Sequence, residues 1–217
     1  MKGTVLVTGG ARRLGKAIAD ALRARGWNVI AASRTSPDTT FAIDLAEPGG
    51  PARLFATARV AAPDLCAVVN NAAVFSHDAE PSPDEEVRLR AVNVDAPRAL
   101  TDLLAAHGGG VVVNIVDCRA LGQVARGNTP YLRTKRELLE ATRADALRLA
   151  GRVRVNAVAP GPVLPPETCH ERAGATPLGR HPTPQEVADA VVYLLSAEST
   201  TGAVIPVDGG QSLLAEP

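Results

Sequence analysis

The chain has 217 residues, 46% of them hydrophobic, so it can bury about 70% of its surface in one core and is too short for two full domains. Its 23 lysine and arginine residues balance 23 aspartate and glutamate residues, which excludes an overall charge that favours nucleic acid or an anionic membrane. No apolar run approaches the roughly 18 residues that span a bilayer, and MKGTVLVTGG lacks the features of a signal peptide, so we expect one cytoplasmic domain over residues 1–217.

Short β-branched runs alternate with helical patterns along the chain. Near-continuous apolar strands separated by helices predict an α/β fold with a parallel sheet covered on both faces. In the first helix, apolar residues repeat at helical spacing from Leu14 to Leu22, and Gly26 stands where a C-terminal cap belongs. The predicted strands are Val5–Val7, Val29–Ala32, Ala67–Val69, Val111–Val116, Val153–Val158 and Val204–Val207.

Two further helices are predicted in the second half of the chain. Asn128 or Thr129 caps a helix that runs to about Leu149. Thr183–Glu186 has the spacing of a capping box and begins another covering helix. Between them, the proline-rich stretch at about 163–183 is predicted to form a short, stiff lid.

A glycine-rich turn, Thr8–Gly15, leads directly from the first strand into the first helix. Backbone N–H groups and the helix dipole converge there on a possible phosphate, although the glycines could simply make a tight turn. Two adjacent arginines at a helix N-terminus oppose the dipole, which is costly unless an anion is normally present. We therefore expect a phosphate group of a dinucleotide to be bound by Gly9, Arg12, Arg13, Leu14 and Gly15.

The second strand ends at Ser33 and Arg34, near the position where a dinucleotide-binding fold has an acidic residue for the ribose hydroxyls of NAD. An arginine there fits a 2′-phosphate, so the predicted cofactor is NADPH; the alternative is an ordinary exposed arginine. Only nine residues separate Arg34 from Asp44, which leaves little room for the helix usually found between them.

Tyr131 and Lys135 stand four residues apart, in a chain with only two tyrosines and three lysines. On a helix this spacing places both side chains on one face. A nearby cation stabilises a phenolate and lowers the pKa of tyrosine, so the pair can perform acid–base chemistry. A chance surface pair is the alternative from these two residues alone.

Eight segments, in order, resemble the short-chain dehydrogenase/reductase family across almost the whole chain. The resemblance implies a single doubly wound Rossmann domain with a mostly parallel seven-stranded sheet and helices on both faces. It also implies a homodimer or homotetramer whose seam is formed by helices at about Asn93–Ala106 and Tyr131–Leu149. The segments are VTGGARRLG (7–15), IDL (43–45), VVNNAA (68–73), NVDAP (93–97), VVNIVD (112–117), YLRTK (131–135), VRVNAVAPGPV (153–163) and TTGAVIPVDGG (200–210).

The same resemblance assigns roles to individual residues. Tyr131 protonates the substrate, Lys135 holds the nicotinamide ribose and lowers the pKa of Tyr131, and Asn93 anchors a water in the proton relay. For the cofactor, Asp44 with Leu45 contacts the adenine, Asn71 with Ala72 lines the ribose, and Pro160 with Gly161 lies along the nicotinamide.

Two departures from the general family pattern resemble its pteridine reductase branch. Arg13 replaces a glycine of the phosphate loop, and Asp117 replaces the catalytic serine. Phe75 stands where that branch stacks an aromatic ring on the pterin, so Phe75, Asp117 and Arg13 are predicted to bind substrate. Tyr131 follows Asp117 one residue later than is usual, which leaves Cys118 as the alternative at the serine position; we favour Asp117.

The predicted function is therefore NADPH-dependent hydride transfer to a small molecule, with a pterin or dihydrofolate-like C=N bond as the first choice. A generic ketone or 3-oxoacyl reductase and a non-catalytic NADPH-binding regulator are the alternatives. No metal is expected, because neither the cysteines (Cys66, Cys118, Cys169) nor the histidines (His77, His107, His170, His181) have ligand-like spacing.

Overall fold

The computed structural model describes residues 2–34, 41–76, 81–122, 129–163 and 176–214. Its centre is one sheet of seven parallel strands in the order β3-β2-β1-β4-β5-β6-β7, which confirms the predicted fold class. The six predicted strands are present to within two residues at each end. The strands are β1 Thr4–Thr8, β2 Asn28–Ser33, β3 Phe41–Ala42, β4 Leu65–Asn70, β5 Gly110–Ile115, β6 Val153–Pro160 and β7 Val204–Val207.

Helices connect these strands and cover both faces of the sheet. Thr129, not the alternative Asn128, caps α5 by accepting a hydrogen bond from the Leu132 N–H, and Thr183 forms the predicted capping box with Glu186. Residue 128, Cys169, His77, His170 and lid residues 164–175 lie outside the described residues. The helices are α1 Arg13–Ala24, α2 Gly50–Ala61, α3 Pro83–Arg90, α4 Ala96–Ala106, α5 Pro130–Arg148 and α6 Pro184–Ser196.

Alternate residues of the central strand point into two separate hydrophobic clusters. Val5 and Val7 pack on the side of α1 and α6, whereas Leu6 packs with Phe55 of α2 and Leu100 of α4. Because both faces are buried, the strand is apolar throughout instead of alternating with polar residues. No helix of the described chain is long and apolar enough to cross a membrane.

The edge strand β3 was not predicted, because two residues show neither a run nor an alternation of apolar side chains. It pairs in parallel with the end of β2, with Phe41 opposite Ala32, and residues 35–40 between them lie outside the description. This pairing brings Asp44, two residues after β3, to the carboxyl edge of the sheet beside Arg34. Since all seven strands are parallel, β1, β4, β5 and β6 end at that same edge, where ligands of open α/β sheets bind.

Candidate active site

A cleft of about 490 Å³ opens at the carboxyl edge of the sheet, around the ends of β1, β2 and β4. It brings together predicted cofactor residues from four separate segments of the chain. Tyr131, Lys135, Pro160 and Gly161 are not among its lining. The predicted residues that line it are Gly9, Arg12, Arg13, Leu14, Gly15, Ser33, Arg34, Asp44, Leu45, Asn71 and Ala72.

The glycine turn at one end of the cleft requires its glycines. Gly9 has a φ of +65°, and a Cβ on Gly15 would collide with the Gly9 carbonyl. Asn71 holds this turn in place, because its Nδ2 donates hydrogen bonds to the carbonyls of Thr8 (3.0 Å) and Gly9 (3.2 Å). The turn is therefore tightly packed against β4, with its backbone close to the cleft.

Arg13 begins α1 with a φ of +50°, the left-handed conformation that a glycine adopts without strain. The first turn of α1 contains no acidic residue, and within the described chain neither Arg12 nor Arg13 forms an ion pair. Two unpaired guanidinium groups at the positive end of a helix fit a polyphosphate. The residues present therefore fit the pyrophosphate of a dinucleotide.

The opposite end of the cleft contains a carboxylate between two arginines. Asp44 accepts hydrogen bonds from the Ala46 N–H (2.9 Å) and from Arg88 Nη2 (2.8 Å), and its Oδ2 lies 4.0 Å from Arg34 Nη1. Partial burial works against the charge of Asp44, but the bonds from Arg88 and Ala46 outweigh it and hold the pKa of the carboxyl below its ordinary value. Asp44 is therefore ionised and already has partners.

Tyr131 and Lys135 lie on the first two turns of α5, as their spacing predicts. The Lys135 Nζ lies 5.7 Å from the centre of the Tyr131 ring and donates a 2.8 Å hydrogen bond to the Ile115 carbonyl at the end of β5. Burial, only partly offset by the negative charge of Asp117, lowers the pKa of Lys135 to about 8. The ammonium is thus held at the carboxyl edge of the sheet beside the phenol.

Asp117 is clamped by Arg119, and its carboxylate lies close enough to the Tyr131 phenol to affect the pKa of that phenol. The guanidinium binds both carboxylate oxygens, with Nε to Oδ1 at 3.0 Å and Nη2 to Oδ2 at 2.8 Å, and the Arg119 N–H donates to Oδ1 at 2.9 Å. Burial and the Asp117 carboxylate raise the pKa of Tyr131. The expected lowering of the Tyr131 pKa is therefore wrong for the cofactor-free chain, because burial and a nearby negative charge both favour the protonated phenol.

Of the two candidates for the serine position, Asp117 has the larger electrostatic effect on the Tyr131 phenol. The Cys118 thiol donates instead to Gln211 Oε1 at 3.4 Å, and burial raises the pKa of this thiol to about 12. A buried, protonated thiol is unreactive. Among the described residues, no group of histidine, cysteine or acidic side chains could hold a metal ion.

Asn93 lies in a short π-helical turn, Ala91–Asp95, between α3 and α4. Its side chain exchanges two hydrogen bonds with the Val74 backbone, at 2.8 and 2.9 Å, and donates a third to Thr134 Oγ1 at 3.0 Å. The amide thus joins the loop after β4 to α5, three residues along the chain from Tyr131. The predicted water of the proton relay stays a prediction.

Phe75 projects from the loop after β4 next to Tyr131. Its ring centre lies 4.7 Å from that of Tyr131, and the side chain remains 52% exposed. Pro160 ends β6, and the Gly161 N–H donates to the Val207 carbonyl at 2.9 Å; a side chain on Gly161 would press against Asp208. Both places lie at the carboxyl edge of the sheet; their contacts with substrate and nicotinamide stay predictions.

Two site residues, Arg88 and Arg119, were missed in the sequence. Arg119 stands two positions after Asp117, so the sequence already places the two residues close together. The ion pair also needs the 3-10 turn Cys118–Ala120, which brings the Arg119 side chain back towards the Asp117 carboxylate. Arg88 belongs to α3 and meets a carboxylate 44 positions earlier in the chain, and no spacing rule joins the two.

The chain resembles known oxidoreductases over nearly its whole length. Residues 9–212 match the family profile described as enoyl-(acyl carrier protein) reductase. An uncharacterised oxidoreductase from Mycobacterium tuberculosis is 37% identical, over 94% of this chain and 90% of that one. The L-xylulose reductase of Bos taurus is 34% identical, over 94% of each chain.

Among solved structures, FolM alternative dihydrofolate reductase 1 from Brucella canis, complexed with NADP, superposes with a TM-score of 0.90. It is 34% identical, and the match covers 99% of this chain and 96% of that one. A blue fluorescent protein from a metagenomic library, in complex with NADPH, gives a TM-score of 0.88 at 26% identity, over 96% of this chain and 97% of that one. The chain therefore belongs to the short-chain dehydrogenase/reductase family and is an oxidoreductase, and the predicted cofactor agrees with these complexes.

Proposed function

We propose that this short-chain dehydrogenase/reductase uses NADPH to reduce a pterin or a dihydrofolate-like C=N bond, with Tyr131 as the proton donor. The observation that carries the proposal is an Asp117 carboxylate, held by Arg119, near a Tyr131 phenol whose ring contacts the exposed ring of Phe75. A simple ketone needs only the hydroxyl donor, whereas a nitrogen heterocycle offers an acceptor and an N–H donor close together.

The hydrogen bonds of Asp117 indicate how such a substrate would bind. A carboxylate has about four acceptor positions, and Arg119 fills three of those of Asp117. The fourth position is left for a substrate N–H, while a neighbouring substrate nitrogen accepts the Tyr131 proton. Such a substrate leaves no buried acceptor unpaired, while a ketone would leave one.

Arg119 keeps this arrangement ready by holding the Asp117 carboxylate in a fixed plane. A bidentate, charge-assisted pair fixes geometry as well as charge. Because Arg119 already satisfies most of the carboxylate, one acceptor position remains for a substrate donor. The raised pKa of Tyr131 keeps the phenol protonated, as a proton donor for reduction requires.

NADPH supplies the hydride when it is bound. We propose that Gly9, Arg12, Leu14 and Gly15 hold its pyrophosphate, that Ser33 and Arg34 hold the 2′-phosphate, and that Asp44 and Leu45 border the adenine. Asn71, Ala72 and Lys135 would lie along the riboses, and Pro160 and Gly161 along the nicotinamide. Arg13 is the first residue of α1 and lines the same cleft. It would bind both the cofactor phosphates and the substrate.

Carbonyl reduction is the second candidate, because the relatives of this chain include L-xylulose reductases and a protein named a putative ketoacyl reductase. A non-catalytic NADPH sensor is the third. The test is NADPH oxidation with dihydrobiopterin, dihydrofolate, a diketone and a 3-oxoacyl thioester, with identification of each product. Turnover of the pterins above the other substrates supports the proposal; preference for the diketone or the thioester, or NADPH binding without turnover, contradicts it.

We further propose a cytoplasmic homodimer or homotetramer assembled through α4 and α5, with no nucleic acid or membrane partner. The seam follows from the family resemblance, and Leu147 near the end of α5 is 82% exposed in the single chain. Light scattering of the parent and of Leu147→Glu tests it: the parent should be a dimer or tetramer and the variant a smaller species.

A further inference from the structure

We propose that Arg88 determines the preference for NADPH without contacting the 2′-phosphate, by neutralising Asp44 so that Arg34 stays available for that phosphate. The inference rests on the proposed binding of NADPH in the cleft. Arg88 would then be a positioning residue for the cofactor specificity of this enzyme.

The geometry places one carboxylate oxygen between two competing guanidinium groups. Arg88 Nη2 lies 2.8 Å from Asp44 Oδ2, and Arg34 Nη1 lies 4.0 Å from the same atom. Both arginines line the cleft, and Arg34 is the more exposed of the two. Arg88 therefore occupies the near position and leaves Arg34 at the limit of ion pairing.

Asp44 cannot simply turn away from the two arginines, because its Oδ1 is tied to the Ala46 N–H at 2.9 Å. If Arg88 were absent, Arg34 would be the only cation of the described chain within ion-pairing distance of this carboxylate. Opposite charges in a partly buried site attract strongly, so Arg34 would move onto Asp44.

The charge balance explains why this matters for the cofactor. A phosphate monoester carries about −1.5 to −2 charges at neutral pH. An unneutralised Asp44 would repel the 2′-phosphate of NADPH. It would also pair with Arg34, the arginine proposed to bind that phosphate. With Arg88 paired to Asp44, the Arg34 charge remains for the phosphate, whereas NADH lacks this group and should be little affected.

Helix α3 offers a matched control two residues further along. Arg88 faces the cleft, but Arg90 points the other way and pairs with Glu137 of α5. Residues two apart lie on different faces of a helix, so the same substitution at position 90 changes the helix equally and leaves the cleft unchanged.

The experiment measures dissociation constants of NADPH and NADH for the parent, Arg88→Met, Asp44→Asn, the double variant and Arg90→Met, after thermal melting has shown that each is folded. We expect Arg88→Met to reduce the preference for NADPH by about tenfold or more, equivalent to about 1.4 kcal/mol. The double variant should regain the parent's preference, because removing the carboxylate removes the need for Arg88. Arg90→Met should match the parent.

Three results would overturn the inference. A double variant that remains as unselective as Arg88→Met would mean that Arg88 contacts the phosphate directly. An unchanged ratio of the NADPH and NADH dissociation constants in Arg88→Met would mean that Arg88 does not set the preference. A parent that binds NADH as tightly as NADPH would instead overturn the proposed cofactor, and this inference with it.

Discussion

The rings of Phe75 and Tyr131 lie with their centres 4.7 Å apart and their planes inclined at 59°. Phe75 is thus an exposed aromatic side chain in contact with the proposed proton donor. A flat substrate that reaches the Tyr131 hydroxyl must come close to the Phe75 ring, where it can stack. This relationship makes the substrate class testable.

Phe75→Ala should raise KM for dihydrobiopterin about two- to tenfold, because stacking contributes about 0.5–1.5 kcal/mol beyond the buried area. Phe75→Leu is the control, since it keeps an apolar side chain without the aromatic face and should lose nearly as much. Steady-state kinetics at saturating NADPH provide the comparison. If Phe75→Leu retains the parent's KM, packing alone explains the residue.

Tyr131→Phe should lower kcat by about 10²–10⁴ while the dissociation constant of NADPH stays nearly unchanged, because only the acidic hydroxyl is lost. Tyr193, the other tyrosine, is exposed on α6 and gives the matched control Tyr193→Phe, which should behave as the parent. A loss of kcat below about tenfold in Tyr131→Phe would remove this residue from the mechanism.

Lys135→Met should abolish turnover, weaken NADPH binding and change the pH dependence of stability. Burial lowers the pKa of Lys135 from 10.5 to about 8, which corresponds to about 3 kcal/mol at about 1.4 kcal/mol per pH unit. The unfolded chain holds the Lys135 proton more tightly than the folded chain does. The loss of folding stability caused by burying the charged lysine is therefore fully present below about pH 8 and disappears as the pH rises towards 10.5.

Relative to the parent, the unfolding free energy of the cofactor-free Lys135→Met protein should therefore fall by about 2–3 kcal/mol between pH 7 and about pH 10. Urea unfolding at several pH values measures this difference. The lost hydrogen bond to Ile115 adds only an offset that does not vary with pH. A constant difference would mean that the lysine is not held in the buried, charged state.

Arg34→Asp should weaken NADPH binding more than NADH binding. The new carboxylate repels the 2′-phosphate but can accept a hydrogen bond from the 2′-hydroxyl of NADH. Fluorescence titration with both cofactors measures the ratio, and we expect the parent to favour NADPH by at least about tenfold. Equal losses for the two cofactors would show that Arg34 does not read the phosphate.

The strands and covering helices could be predicted because their apolar residues repeat over four or more positions. The two-residue strand β3 has no such period, and its pairing with β2 depends on the tertiary fold. Tyr131 and Lys135 could be found because four residues make one helical turn. The pairs Arg88–Asp44 and Arg119–Asp117 depend on helix packing and side-chain rotamers, which spacing does not specify.

The pKa of Tyr131 could not be predicted from its spacing to Lys135 alone. It also depends on the burial of the phenol and on the nearby Asp117 carboxylate. Both effects favour the protonated phenol, and their size depends on the packing of α5 against the loop after β5.

Asp117→Ser separates a pterin reductase from a carbonyl reductase. It restores the residue usual for ketone reduction and removes a charged acceptor that only a substrate with an N–H donor can use. Hydrogen bonds to charged groups contribute about 1.5–3 kcal/mol, or about 10- to 150-fold in kcat/KM. Asp117→Asn, which keeps the shape and one acceptor oxygen, is the matched control and should lose less.

The most direct test of the account is kcat/KM for dihydrobiopterin and for a simple diketone, measured with the parent and Asp117→Ser at saturating NADPH. We predict that the parent prefers the pterin and that Asp117→Ser lowers pterin turnover by at least about tenfold more than diketone turnover. A parent without pterin activity, or an equal loss for both substrates in Asp117→Ser, would contradict it.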